Sequence, residues 1–237
     1  MSPTLKLPFL ILLISTFAFG TLSWRSSSTS GPLDGRKSVG IFPPTCNRIE
    51  CPKFEVILVG NGFEIRRYNL TMWTSTSPIQ DISLVEATRT GFLQLFNYIQ
   101  GNNDYKEKIE MTAPVITQVV PSDGPFCSSM FVVSFYLPQK NQADPPPAEN
   151  LHVQKWGLKY VAVRQFSGFA SDYGVGQEAA ALYNSLVESG WSTLIDKALA
   201  ADPTSTYTVA QYNSPFEFKN RVNEIWMMVD MEDVNAI

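Results

Sequence analysis

Two short runs rich in apolar and β-branched residues, Phe54-Glu-Val-Ile-Leu-Val59 and Phe63-Glu-Ile-Arg-Arg-Tyr68, flank Gly60-Asn-Gly62. Strand-like runs on both sides of a glycine turn predict a β-hairpin. The period changes after Ser83, where Leu84, Thr88, Phe92, Leu95 and Ile99 recur at helical spacing and Phe96 widens the apolar face. Ser83-Leu-Val-Glu86 reads as a capping box, in which the serine oxygen accepts an orphan amide and the glutamate reaches back. Gly101 supplies the stop, so a helix over Ser83–Gln100 is expected. Ile109 to Val120 and Met130 to Leu137 read as strands joined by the loop Pro121 to Cys127. Asn141 to Asn150, with Pro145-Pro-Pro147, reads as a stiff linker. Beyond it, Leu151 to Gln154 and Tyr160 to Phe166 are strands around a Trp156-Gly157 turn. A second helical region spans about Gly176 to Ala200, its first helix near Gln177–Ser189, with Gly190 as a candidate break. Tyr207 to Tyr212 and Asn223 to Val229 are the last strands.

The order of elements repeats. A strand at Arg66-Arg-Tyr68, a helix, Met111-Thr-Ala-Pro114 and a strand at Phe131 to Tyr136 are followed by a second series. That series holds Arg164-Gln-Phe166, a helix, Tyr212-Asn-Ser-Pro215 and Glu224 to Val229. Two strand-helix-strand-strand halves, about 53–138 and 151–230, point to an α+β fold with helices covering an antiparallel sheet. A duplicated fold of this kind offers a ligand cleft between its halves.

The termini add a destination. Lys6 precedes the apolar run Leu7 to Gly20, which is shorter than the ~20 residues of a membrane span, and Ala18-Phe19-Gly20 suits a signal peptidase. Residues 1–20 are expected to be a signal peptide, 21–45 a flexible linker and 46–232 the folded domain. The expected localisation is extracellular. Asn69-Leu-Thr71 is a glycosylation sequon. Three cysteines in an oxidising compartment favour one disulfide and one thiol. We expect Cys127 within bridging distance of Cys46 or Cys51, about 7 Å between Cα atoms; a local Cys46–Cys51 bridge is the rival.

Composition narrows the chemistry. A net charge of -4 with scattered Lys and Arg leaves no basic stripe for nucleic acid. The one histidine, His152, lies between Leu151 and Val153 in a strand and is expected to face away from the core. With no Gly-x-Ser-x-Gly elbow, no P-loop and no paired Cys/His spacing, hydrolase, nucleotide and metal sites lack their signatures. No catalytic residue and no metal site are assigned. Arg89 shares a helical flank with Val85, Phe92 and Phe96. A guanidinium beside aromatic rings can grip a carboxylate while the rings pack against a flat apolar body. Spacing alone favours an arginine reaching out to water, the usual fate of such a residue.

The strand Glu64-Ile-Arg-Arg-Tyr68, the turn Met111-Thr-Ala-Pro-Val115 and the strand Arg221-Val-Asn-Glu-Ile-Trp226 resemble the SOUL/heme-binding protein family in its secreted plant form. The resemblance covers about Ile49 to Asp230. It implies a distorted antiparallel β-barrel flanked by two main helices. It also implies a non-enzymatic protein that binds heme or another porphyrin without covalent attachment. Arg89 matches the family's propionate contact, and Phe92 and Phe96 match apolar positions beneath the macrocycle. The family's second basic contact falls on Glu217, so Lys219 or Arg221 would have to substitute. Val85 and the soft thioether of Met111 complete the candidate heme-binding set, with no axial protein ligand for the iron. The expected partner is thus a tetrapyrrole, for transport, scavenging or buffering, and neither nucleic acid nor, once the signal is cleaved, a membrane. The alternative is an extracellular interaction module whose loop Phe216-Glu-Phe218 contacts a protein or wall component, with a vestigial pocket. An enzyme acting on a tetrapyrrole or small amphiphile, with Glu110 or Glu224 as acid or base, is a third possibility.

Overall fold

A computed structural model describes residues 42–231 except 123, 125 and 126. The expected signal peptide and most of the linker lie outside the described residues. A 3-10 turn at Pro44–Asn47 leads into β1 (Phe54–Val59), β2 (Glu64–Tyr68), β3 (Thr71–Thr76) and β4 (Ile79–Asp81). Helix α1 (Leu84–Ile99) precedes β5 (Val115–Val120) and β6 (Ser129–Tyr136). The second half holds β7 (Leu151–Trp156), β8 (Lys159–Phe166), α2 (Asp172–Glu188), α3 (Ser192–Ala201), β9 (Tyr207–Gln211) and β10 (Asn223–Val229). Among the described residues, no helix is long and apolar enough to cross a membrane.

The strands form one antiparallel sheet in the order β1-β2-β8-β10-β9-β5-β6-β3-β7, with β4 also paired to β6. From the central β9–β5 pair, the two sides run outward as β5-β6-β3-β7 and β9-β10-β8-β2. Each half is therefore strand, helix, strand, strand, led by β3 or β8, and the strand before each series, β2 or β7, joins the other half. This corrects the expected residue correspondence. β2, which holds Arg66–Tyr68, is paired to β8 rather than equivalent to it, with Arg66 opposite Val161. The counterpart of β8 is β3. Its sequence, Thr-Met-Trp-Thr-Ser-Thr, lacks apolar alternation because buried hydroxyls occupy it, so the sequence match slides onto β2. Likewise Met111–Pro114 leads into β5, whereas Tyr212–Pro215 follows β9. β6 and β10 do correspond.

The sheet curls into a half-barrel. Trp73 on β3 and Trp226 on β10 are four strand steps apart, roughly 19 Å if the sheet were flat, yet their rings lie 6.4 Å apart. Trp73, Trp156, Trp226, Tyr68 and Tyr136 fill the concave face. The helices cover the convex face, α2 and α3 over one cluster and α1 over another. At Gly91, α1 comes so close to β6 that an added Cβ would lie 2.4 Å from the Val133 side chain.

Several boundaries move. Ile109 to Pro114 is irregular rather than strand, and Pro114, after a cis peptide bond, has no amide for a ladder. The second helical region breaks into α2 and α3 at Gly190, whose φ of 79° suits glycine. The capping box is half formed. Ser83 Oγ accepts from the Glu86 amide, but the Ser83 amide donates to Asp81 Oδ1 at 2.9 Å rather than to Glu86. The cysteine expectation is overturned: Cys46 and Cys51 form the disulfide, and Cys127 is free and exposed. A short connection across the 3-10 turn brings the first two together, while Cys127 sits in the β5–β6 loop. Asn69 is exposed in the two-residue link between β2 and β3.

The concave core also holds a charge pair. Arg66 Nη1 and Nη2 each donate to Glu224 at 2.9 Å, and both side chains are 0% exposed. Tyr212, Trp226 and Gln165 donate to the same carboxylate at 2.9, 2.7 and 2.8 Å. Glu64 contacts Arg66 Nε, and the guanidinium lies 4.0 Å above the Phe54 ring. Burial works against the Arg66 charge, but Glu224 and the neighbouring tyrosine hydroxyls outweigh it and raise its pKa above the arginine range. Burial, then Glu224, pushes Tyr212 well above the usual tyrosine value, and burial does the same to Tyr68.

Glu224→Ala strands a buried guanidinium and is expected to cost about 3–5 kcal/mol in urea unfolding. The double variant Arg66→Met/Glu224→Leu is expected to recover much of that loss. Because Tyr68 and Tyr212 hold their protons more tightly when folded, their contribution is intact below about pH 10 and falls as pH rises beyond it. Stability measured between pH 9 and 11.5 is expected to decline, with a flatter slope in Tyr212→Phe.

Candidate functional site

The central strand pair forms the floor of a cavity on the convex face, where Val115 of β5 lies opposite Gln211 of β9. Its volume is about 270 Å³, near the lower limit of ordinary ligand pockets, about 300–1,000 Å³. Val85, Thr88, Arg89 and Phe92 of α1 form one wall. Phe169 and Ala170, before α2, form another, and Asn213, Pro215 and Arg221 of the β9–β10 loop close the third side. The cavity thus sits on the seam between the two halves.

Local chemistry holds the walls. Phe92 stacks on Phe96 at 5.7 Å and meets Phe135 of β6 edge-on at 5.3 Å, which anchors the ring over the sheet. Thr88 and Thr117 share a 2.8 Å hydroxyl hydrogen bond beneath the helix. Asp172, in the first turn of α2, accepts from Ser83 Oγ at 2.9 Å and from the Val85 amide at 3.1 Å. A carboxylate there satisfies an orphan amide and complements the helix dipole, so the start of α1 is pinned to the start of α2.

Two guanidiniums line the cavity. Arg89 is 72% exposed, and among the described residues it pairs with Glu86 at 3.5 Å, a surface pairing of little weight. Its side chain can turn toward a ligand at small cost. Arg221 is held. Its Nη1 donates to the carbonyls of Ser214 and Glu217 at 2.8 and 2.7 Å, and its plane lies 4.3 Å over Phe169. Its Nε is buried with no hydrogen-bond partner among the described residues. Burial lowers the Arg221 pKa, against which Glu217 acts, and arginine stays charged regardless. Glu217 is engaged elsewhere. Hydrogen bonds from Arg48 at 2.6 Å and Asn213 at 3.0 Å hold its carboxyl below the usual range.

Of the candidate residues, Val85, Arg89 and Phe92 line the cavity. Phe96 stacks on Phe92 beside it. Met111 packs, half-buried, against the core beneath α1 and is not among the lining residues. Arg221, rather than Lys219, stands at the cavity. Phe169 escaped the sequence reading; it precedes α2 in a Ser-Gly-rich stretch with no periodicity, and only the folded chain sets it on Arg221. His152 is exposed on β7. Glu110 is an exposed partner of Lys140 at 3.0 Å, and Glu224 is committed to Arg66. A larger cavity, about 650 Å³, lies along α1 among polar side chains such as Gln94, Asn97, Asn102 and Glu149, a poor match for a flat apolar ligand.

A family profile described as SOUL heme-binding protein matches residues 49–228. The chain is similar to heme-binding protein 2 of Homo sapiens, 38% identical over 70% of this chain and 78% of that one. It is also similar to heme-binding protein 1 of Bos taurus, 27% identical over 67% of this chain and 78% of that one. The solved C-terminal domain of EcmrR overlays at a TM-score of 0.42 with 10% identity, over 73% of this chain and 98% of that one.

Asp172→Ala is expected to cost about 1 kcal/mol, the worth of a helix cap. Hydrogen exchange at the Val85 amide is expected to accelerate, and Asp172→Asn is expected to retain most of the protection.

Proposed function

The chain belongs to the SOUL heme-binding protein family, and from that premise we propose that it binds heme or a related tetrapyrrole non-covalently in the cavity between α1 and the β9–β10 loop. The supporting observation is the pairing of two guanidiniums with an aromatic wall. Arg89, Arg221, Phe92 and Phe169 line one cavity, and in this reading the two arginines meet the two propionates of a macrocycle that lies against the two rings. A cavity of this volume covers part of a macrocycle and leaves an edge open. In this reading Arg221 takes over the second anionic contact that Glu217 cannot make. Macrocycle burial and charge pairing supply the affinity, with no strong axial ligand from the protein. The task that follows is transport, scavenging or buffering rather than catalysis. We further propose export to the extracellular space, the apoplast in a plant, with glycan at the exposed Asn69. The Cys46–Cys51 disulfide suits such a compartment.

A second reading draws on the loop beside the cavity. Phe216 and Phe218 are 82% and 75% exposed, as an aromatic surface for a protein partner would be. Titration with hemin, protoporphyrin IX and an unrelated apolar dye separates the two readings. Saturable porphyrin binding is expected; none at micromolar ligand favours the interaction module. Arg89→Ala and Arg221→Ala are each expected to weaken binding by roughly 1.5–3 kcal/mol, the worth of a hydrogen bond to a charged group. His152→Ala is expected to change little, and iron-free protoporphyrin to bind nearly as well as hemin. A histidine-ligated heme spectrum that vanishes in His152→Ala would overturn the axial-ligand claim.

A further inference from the structure

The concave face carries another cavity, of about 370 Å³, which shares no lining residue with the proposed tetrapyrrole site. Its walls come from β5, β6 and β7 and from the turn before β9. In the sheet β5 and β7 stand three strand steps apart, roughly 14 Å if flat. Curling brings Gln118 of β5 and His152 of β7 onto one space. Along β5, alternation turns Val115 toward α1 and turns Gln118 and Val120 the other way, so the two cavities lie on opposite faces of the sheet.

Gln118 is the informative residue. It is 8% exposed, and its Oε1 is buried without a hydrogen-bond donor among the described residues. A buried amide oxygen left unpaired is costly and calls for a donor. Its cross-strand neighbours do not supply one. Val132 has no donor in its side chain, and the Thr208 hydroxyl is engaged with Ser205 at 3.3 Å. The surrounding walls are apolar, from Val120, Met130, Val132 and Pro203, and Met130 is a flexible one. Among the described lining residues there is no Asp, Glu, Lys or Arg, so a charged ligand would lose its hydration without gaining a partner.

We propose that this cavity binds a small neutral molecule with an apolar body and one hydroxyl or N–H donor, of the phenol or indole class. A turn of the Gln118 amide brings its buried Oε1 to the donor, and the ring packs against the neighbouring Val120 and Met130 side chains. With no cationic side chain to meet propionates, the lining suits one or two fused neutral rings rather than a heme-type macrocycle. The exposed His152 and the half-buried Gln154, with Nε2 atoms 3.5 Å apart, form the polar edge.

The test compares 2-naphthol with 2-methoxynaphthalene, which has the same ring system but no donor, on the full chain without added heme. Methyl-labelled methionine NMR follows Met130, assigned with Met130→Leu. A saturable Met130 shift with 2-naphthol is expected, at an affinity roughly two- to tenfold above that of the methoxy probe, the usual worth of one hydrogen bond. Gln118→Leu is expected to erase that difference while hemin titration stays unchanged, which separates this site from the tetrapyrrole site. If Gln118→Leu does not fold, Val132→Phe, which fills the cavity from β6, must abolish the Met130 shift. The proposal is overturned by no saturable shift up to millimolar probe, by equal affinity for the two probes, or by a preference that survives Gln118→Leu or Val132→Phe.

Discussion

The Arg66–Glu224 pair is the constraint around which the concave core is arranged. A bidentate ion pair with both side chains fully buried is tolerable only if every remaining polar valence is met. Here Tyr212, Trp226 and Gln165 complete the carboxylate, while Glu64 and the Phe54 ring complete the guanidinium. These partners come from β1, β2, β8, β10 and the end of β9. Any shift of β2 by one residue would turn Arg66 to the helical face and leave Glu224 uncompensated. The pair therefore sets the register of a strand that crosses from the first half of the chain into the sheet of the second.

That crossing explains where ligands can go. With β2 given to one half and β7 to the other, neither half closes a barrel alone, and the central β5–β9 pair becomes the common floor. On its convex side, α1 and the approach to α2 stand apart, pinned at one end by Asp172. The gap between them is the cavity with Arg89 and Arg221. On the concave side, the tryptophan cluster fills the middle of the curl and leaves space toward Gln118 and Met130. One sheet thus carries a cationic, aromatic cavity and one without Asp, Glu, Lys or Arg among its described lining residues, kept apart by the alternation of side chains along β5.

Much of this was legible from residue order alone. Helix α1, the β1–β2 hairpin, the β6 and β10 strands and the exposure of His152 follow from local periodicity and capping, which act over a few residues. The flank Val85, Arg89 and Phe92 was legible for the same reason, since helical spacing places those residues together before any tertiary contact forms. β3 was not legible. Its burial depends on hydroxyls finding partners across the sheet, as Ser75 does with Ser134 at 2.7 Å, and no pattern within six residues reveals that.

The sequence by itself determined the α+β class, the two strand-helix-strand-strand halves, the family and one wall of the candidate site. Only the tertiary structure decided which strands correspond, that Cys46 bonds to Cys51, and that Arg221 and Phe169 face Arg89. It also decided that Glu224 pairs with Arg66 in the core. The division has a physical cause. Helix periodicity and turns are written in neighbours, whereas strand partners, ion pairs and cavity walls join residues far apart in the chain, and their positions depend on how the whole sheet curls.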